Sequence, residues 1–282
     1  MFSVQLLNGI AWSAILFLMA TGLCLLFGLM RVVNMAHGSF YMIAGYITGA
    51  LTLKLGFWLG LLVGTVFIAV VGVFIYVGLL KSLHKQDLKQ LLITFGLIYI
   101  FLDFAQWIWH GEIIFPYKPD ILAGSARFMG ITYPIYHLTL IVVVLIIGVT
   151  LWLIQDKTKL GAIVRAGVDD EEMVRGLGIN LGSVFFGVFA LGAALAGFAG
   201  GIGAVFTGAY LGVDGEILIL GLIIVVIGGL GSLKGAMLGS LLIGLADTLG
   251  KAYLPELASF TIFSVMVLVL VVKPSGLLGR QG

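Results

Sequence analysis

Long apolar stretches alternate with short polar ones along the whole chain. Nine stretches are apolar enough to form membrane helices, and they occupy residues 4–30, 37–53, 56–80, 91–109, 135–154, 184–207, 217–230, 236–250 and 257–272. A helix that crosses a membrane needs about 20 mostly apolar residues. The pattern therefore predicts an all-α fold, a polytopic helical bundle with eight or nine spans. The stretches that start at His37, Ile217 and Ala236 are short, which predicts broken or re-entrant helices.

The composition agrees with a membrane protein and excludes several other classes. Only 10% of the 282 residues are charged, whereas soluble domains carry about 25%. The net charge of +2 is too small to indicate a nucleic-acid partner. A single cysteine, Cys24, excludes an intramolecular disulfide, and no group of His, Cys, Asp and Glu has the spacing of metal ligands. We expect a chain that partners the lipid bilayer and holds no metal or cofactor.

Basic residues in the short connections predict the orientation of the bundle. The connection 81–90 and the longer segment 155–181 carry seven of the fifteen Lys and Arg, namely Lys81, Lys85, Lys89, Lys157, Lys159, Arg165 and Arg175. Such loops face the cytoplasm. The tail after Val272 then lies on the same side, and nine crossings place the amino terminus outside.

No connection is long enough to hold a catalytic domain, since the longest run to about 25 residues. The chain also lacks the G-x-x-x-x-G-K-[ST] loop that binds nucleotides. The sequence therefore predicts that the chain is not an enzyme. If ATP drives transport, another subunit must hydrolyse it.

Two polar interruptions suggest helices that begin inside the membrane. Residues 31–40 and 212–217 each place a glycine among polar side chains before a short apolar stretch, which is compatible with an internal repeat. Transporters build substrate sites from such discontinuous helices, whose amino-terminal ends favour a carboxylate. The candidate residues of a translocation path are Asn34, His37, Gly38, Tyr41, Asp214 and Glu216.

Simpler interpretations of these polar residues remain open. Arg31, Asp214 and Glu216 could sit at membrane interfaces, and His37 could bond a backbone carbonyl. Asp103 is the one carboxylate well inside a predicted span, and we expect it to pair with a neighbouring helix because charge within a membrane is costly. Asp247 is expected near a helix end.

The segment 155–181 contains a predicted short helix. Asp169 or Asp170 can cap its start, Glu171 and Glu172 fall in its first turn, and Gly178 can end it in a left-handed conformation. Met173, Val174 and Leu177 give it one apolar edge. Because a helix of about two turns is marginal alone, we expect it to bind its own bundle or another protein.

Four motifs together resemble one family of transport proteins. They are GLMRVVNMAHGSFYMIAGY at 28–46, RAGVDDEEMVRGLGIN at 165–180, VIGGLGSLKG at 226–235 and KPSGLLG at 273–279. The chain resembles, over essentially its whole length, the permeases of branched-chain amino acid ABC importers, of the LivH type. Family patterns usually have Arg where this chain has Lys273.

The resemblance implies a single transmembrane permease domain over residues 1–282, with a coupling loop at about 155–181 that fits a groove of the ATPase. The coupling residues implied are Arg165, Ala166, Asp170, Glu171, Glu172, Met173, Gly176, Gly178 and Asn180. The implied partners are two cytoplasmic ABC ATPase subunits, a second homologous permease and a periplasmic substrate-binding protein, at the bacterial inner membrane.

The carried substrate stays open at this point. Leucine, isoleucine and valine are the implied cargo, whereas urea, amides or aromatic acids are alternatives within the same importer class. An ion-coupled secondary transporter is a further alternative. It would need intramembrane carboxylates, of which Asp103 is the main candidate.

Overall fold

The computed structural model describes residues 2–30, 32–83, 86–128 and 130–279. Over these ranges the chain forms eleven α-helices, one β-hairpin and short 3-10 or π turns. The helices are α1 (Phe2–Met30), α2 (His37–Leu55), α3 (Phe57–Ile75), α4 (Asp87–Trp109), α5 (Ile135–Lys157), α6 (Lys159–Asp169), α7 (Glu171–Gly176), α8 (Leu181–Thr207), α9 (Val213–Gly228), α10 (Leu233–Tyr253) and α11 (Ala258–Val272). The hairpin pairs β1 (Ser125–Phe128) with β2 (Ile131–Pro134) in antiparallel register.

The predicted all-α membrane bundle is confirmed. Seven helical segments are long and apolar enough to cross a membrane, and they contain α1, α3, α4, α5, α8, α10 and α11. The two shorter helices, α2 with 19 residues and α9 with 16, bring the set to nine. The prediction of a short segment from Ala236 is wrong. The hydroxyl of Ser232 accepts a hydrogen bond from the Gly235 amide (3.0 Å) and caps the helix, so α10 starts at Leu233 and runs for 21 residues.

Helix α1 occupies the centre of the bundle. It packs against α5, α8, α9 and α10, and most of its side chains are buried. Helix α2 is buried among α3, α4, α8 and α9. Helices α4, α5 and α11 lie at the periphery and expose apolar side chains, as expected where lipid covers the protein.

The two ends of the bundle differ in character. At one end, which we call the hairpin end, the hydroxyl of Tyr133 donates to the side-chain oxygen of Asn8 on α1 (3.0 Å). At the opposite end, the basic end, Gly28 of α1 lines a cavity with Arg165 and Lys234. The basic segment 155–181 therefore lies at the carboxyl end of α1. Arg31 and Lys85 fall outside the described residues.

Helix α2 begins inside the bundle rather than at its surface. A Cβ atom at Gly22 of α1 would come within 2.6 Å of Nε2 of His37, the first residue of α2. Helix α1 continues from Gly22 to Met30, about 12 Å further toward the basic end. The segment after Met30 therefore turns back into the bundle before α2 starts. This confirms the predicted break in the chain.

Candidate translocation path and docking surface

The first turns of α2 and α9 meet in the interior of the bundle. A Cβ atom at residue 38 would overlap the carbonyl oxygen of Asp214, so only glycine permits this approach of the two backbones. Beside it, the Ser39 hydroxyl donates to Oδ2 of Asp214 at 3.3 Å. The positive ends of two helix dipoles thus converge near one buried carboxylate. The sequence pattern predicted Gly38 and Asp214 as residues of the path. It did not predict Ser39, because no feature of the local sequence distinguishes this serine.

Three of the predicted residues carry buried polar atoms that lack a well-formed hydrogen bond. The two ring nitrogens of His37, the amide nitrogen of Asn34 and the hydroxyl of Tyr41 make no well-formed hydrogen bond to any described residue. All three side chains are almost completely buried. Buried polar groups are normally hydrogen-bonded, and leaving them unpaired is costly. The expected contact of His37 with a backbone carbonyl is present only in a loose form, since the imidazole interacts with the Met19 backbone of α1 without the geometry of a well-formed hydrogen bond.

Asn34 and Thr94 shape the segment that leads into α2. The side-chain oxygen of Asn34 accepts from the Ala36 amide (3.2 Å), which tightens the turn. The Thr94 hydroxyl of α4 accepts from the Met35 amide (3.2 Å) and so anchors the segment to a neighbouring helix. Thr94 was not predicted, although a lone hydroxyl in an apolar stretch is the kind of signal that marks such an anchor.

Glu216 does not join the other candidates. Its side chain is exposed, and Oε2 accepts a hydrogen bond from the Tyr210 hydroxyl at 2.9 Å. Burial and the adjacent Glu216 carboxylate raise the pKa of Tyr210 to about 12. The phenol therefore stays protonated at neutral pH and keeps its bond to the carboxylate.

The predicted short helix is present as α7. Asp170 is its cap, since Oδ1 accepts from the Met173 amide at 2.9 Å. Glu171 pairs with Arg175 one turn later at 2.7 Å, and Gly178 takes the expected left-handed conformation (φ 78°). The local geometry of this segment was thus readable from its sequence.

The surface of this segment is apolar in part and exposed. Met173 and Leu177 are 64% and 69% exposed, while Val174 is buried against the bundle. Ala166, Glu172 and Gly176 are also exposed. We call six exposed residues of the segment 166–177, namely Ala166, Asp170, Glu172, Met173, Gly176 and Leu177, the docking surface. Asn180 lies beside it and caps α8 by accepting from the Ser183 amide (3.3 Å).

Arg165 points toward its own bundle instead of outward. It donates to the carbonyl of Gln155 and lies 3.9 Å from a carboxylate oxygen of Asp156 at the end of α5. The same carboxylate lies 3.6 Å from Nζ of Lys234 in the first turn of α10 and accepts from the Trp152 indole at 2.6 Å. Asp156, which the sequence did not single out, therefore joins α5 to α6 and α10.

The remaining intramembrane carboxylates differ from each other. Asp247 is buried, accepts from the Trp12 indole (2.8 Å) and pairs with Lys251 (2.9 Å), so it joins α10 to α1. Asp103 is exposed and has no partner among the described residues, so the predicted pairing within this chain is wrong. The described residues contain no group of three or more His, Cys, Asp or Glu that could hold a metal.

These features define a class: a polytopic membrane permease with two helices that begin in its interior. Residues 5–272 match the family described as the permease component of the branched-chain amino acid transport system. The chain belongs to this family.

Individual relatives align over nearly the full chain. The high-affinity branched-chain amino acid permease LivH of Escherichia coli is 28% identical over 300 residues, which cover 99% of this chain and 96% of the relative. LivH of Salmonella typhimurium is 27% identical with the same coverage. BraD of Pseudomonas aeruginosa is 30% identical over 298 residues, 98% of this chain and 95% of the relative. No solved structure matches the chain.

Proposed function

We propose that this chain is the membrane subunit of an ABC importer that carries leucine, isoleucine and valine across a bacterial inner membrane. It works with two cytoplasmic ATPases, a second homologous permease and a periplasmic substrate-binding protein. The observation that carries the proposal is the pairing of an interior α2–α9 junction with an exposed apolar docking surface at the basic end. The names of the relatives supply the cargo.

The chemistry of the junction suits an amino acid. A zwitterion presents a carboxylate and an ammonium group. The amino-terminal ends of α2 and α9, whose cap residues form no side-chain cap bond, would attract the carboxylate together with His37, and Asp214 would attract the ammonium group. Asp214, Gly38 and His37 would line the path, and Asn34 and Tyr41 would contact the cargo after rearrangement. Urea and other neutral amides need no such pair of opposite charges, which favours amino acids over them.

Coupling to ATP hydrolysis would begin at the docking surface. Met173 and Leu177 expose apolar side chains next to the charges of Asp170 and Glu172, a combination typical of protein interfaces. Movement of α6 would reach α10 through Arg165 and Asp156, which also contacts Lys234. Helix α9 ends beside the start of α10, and its other end is the junction with α2. ATP-driven motion therefore has a continuous mechanical route to the path.

A two-residue variant of the docking surface tests this proposal. We expect Met173→Ser with Leu177→Ser to abolish co-purification of the ATPases and ATP-dependent uptake of labelled leucine, without lowering the melting temperature. Both side chains are exposed, so their loss removes an interface and leaves the core unchanged. The matched control is Leu254→Ser, a leucine that is 52% exposed at the opposite end of the bundle.

Uptake that persists after ATP depletion would refute the importer proposal and favour the ion-coupled alternative. Uptake of labelled urea or phenylalanine in place of all three branched-chain amino acids would reassign the cargo while leaving the class intact.

A further inference from the structure

An exposed carboxylate lies inside a candidate membrane span, the peripheral helix α4. Asp103 is exposed and makes no hydrogen bond or ion pair with any described residue. It precedes the end of α4 at Trp109 by six residues, about 9 Å along the axis, and follows its start at Asp87 by about 24 Å. An aspartate side chain is too short to reach water over such a distance, so lipid is an unfavourable environment for it.

Asp103 belongs to a polar stripe on this face. Tyr99 lies four residues before it and Gln106 three residues after it, and both are exposed. Residues at these spacings share one side of a helix. Tyr99 is 59% exposed, and the side chains of Tyr99 and Gln106 also form no hydrogen bond with the described residues. We call Tyr99, Asp103 and Gln106 the α4 stripe.

The position of the stripe restricts what can cover it. An ATPase or a substrate-binding protein reaches only the ends of the bundle, whereas the stripe lies within the span. The occupant must be a membrane-embedded polypeptide with polar groups that can satisfy a carboxylate, a phenol and an amide. A helix of another permease meets both conditions.

We propose that the α4 stripe is the surface on which the second permease subunit of the importer packs. The proposal rests on the proposed function, because it takes the second permease from there. Asp103 would accept hydrogen bonds from donors of the partner helix, while Tyr99 and Gln106 supply donors in return. Partner residues that carry an amide, an indole or a cation would fit this stripe.

The chain beyond α4 connects this surface to the proposed path. Ile114 and Ala209 exchange two backbone hydrogen bonds (3.0 and 2.8 Å), which fix the segment after α4 against the loop before α9. Glu216 in the first turn of α9 is exposed as well. Packing of the second permease on the α4 stripe would therefore border the start of α9, so that the path lies near the contact between the subunits.

Site-specific photo-crosslinking in the assembled transporter tests the proposal. A benzophenone amino acid replaces Tyr99, and the matched control replaces Phe67 of α3, an exposed aromatic residue that is likewise ten residues from the hairpin end of its helix. We expect position 99 to form adducts with a permease chain, either a second copy or a homologue, and position 67 to form adducts with lipid. Equal yields of lipid adducts at both positions, with no permease adduct, would overturn the proposal.

Substitution of Asp103 gives an independent result with a predicted sign. If the stripe faced lipid, Asp103→Leu would leave recovery of the permease pair unchanged or raise it. If the stripe packs on the second permease, we expect Asp103→Leu to lower the amount of that subunit that co-purifies about tenfold. Asp103→Asn keeps hydrogen-bonding capacity and should lower it less. Asp120→Leu, in the exposed loop at the hairpin end, serves as the control.

The two proposals fail in distinguishable ways. If the unmodified chain recovers neither an ATPase nor another permease, the proposed function is wrong. If it recovers both while position 99 crosslinks only lipid and Asp103→Leu has no effect, the assignment of the α4 stripe alone is wrong.

Discussion

His37 is placed where a side chain usually forms a good hydrogen bond, yet neither ring nitrogen forms a well-formed one with the described residues, although the Met19 backbone lies nearby. Its imidazole is completely buried against Gly22 of α1, and the next residue, Gly38, contacts Asp214 of α9. A poorly satisfied buried group of this kind lowers stability. Its presence is physically reasonable if the group binds cargo or water when the path opens.

This argument predicts opposite effects of one substitution on stability and transport. We expect His37→Leu, an apolar residue of similar size, to leave the melting temperature in detergent unchanged or to raise it, because only the loose contact with the Met19 backbone is lost and a poorly satisfied polar group is removed. Uptake should fall about tenfold or more, and His37→Gln should restore part of it. Uptake equal to that of the unmodified chain would make His37 a packing residue.

At the scale of elements, the two short helices matter more than the long ones. Helices α2 and α9 pack on each other at their first turns, and α9 extends from that contact to the basic end. At the same end, Asp156 of α5 lies close to both Arg165 of α6 and Lys234 of α10 and so joins these helices. These pairs are partly exposed, so each contributes only about 0–1 kcal/mol to stability. Their contribution is to connect α6 and α10, which have to move together if the docking surface drives the path.

Replacing Asp156 should therefore uncouple hydrolysis from transport. For Asp156→Asn we expect an unchanged melting temperature and retained ATP hydrolysis, but several-fold less leucine carried per ATP, because α10 no longer follows α6. The control is Asp87→Asn at the exposed start of α4. A ratio of transport to hydrolysis equal to that of the unmodified chain would show that coupling does not pass through this carboxylate.

The sequence predicted the helices and their local caps better than it predicted contacts between residues that are far apart in the chain. The lengths of the apolar stretches gave the spans, and the cap of α7 could be placed because Asp170 and Met173 are neighbours in the chain. The contact of Ser39 with Asp214 joins residues 175 positions apart, so no local pattern could reveal it. The expectation for Asp103 failed for the same reason, since a charge in a span predicts a partner without saying in which chain that partner lies.

At the scale of the whole molecule, the basic end and the hairpin end should face opposite sides of the membrane. We expect a cysteine placed at Lys118, in the exposed loop of the hairpin end, to react in intact cells with a membrane-impermeant maleimide. A cysteine placed at Glu172 should react only after permeabilisation, because loops rich in Lys and Arg stay in the cytoplasm. Both variants require replacement of the buried Cys24. The reverse labelling pattern would show that the bundle has the opposite orientation. The docking surface would then lie outside the cytoplasm, where no ATPase could bind it.

The segment after α11 caps the carboxyl end of α9. The amides of Leu277 and Leu278 donate to the carbonyls of Ile227 and Gly228 at the end of α9, at 2.7 and 3.1 Å. Because Leu277 and Leu278 follow α10 and α11 in the chain, these two carbonyls gain these partners only after both helices have been made. A variant that stopped at Val272 would lack this cap on the helix that reaches the path. Residues 273–279 therefore stabilise the carboxyl end of α9 although they follow it by more than forty positions in the chain.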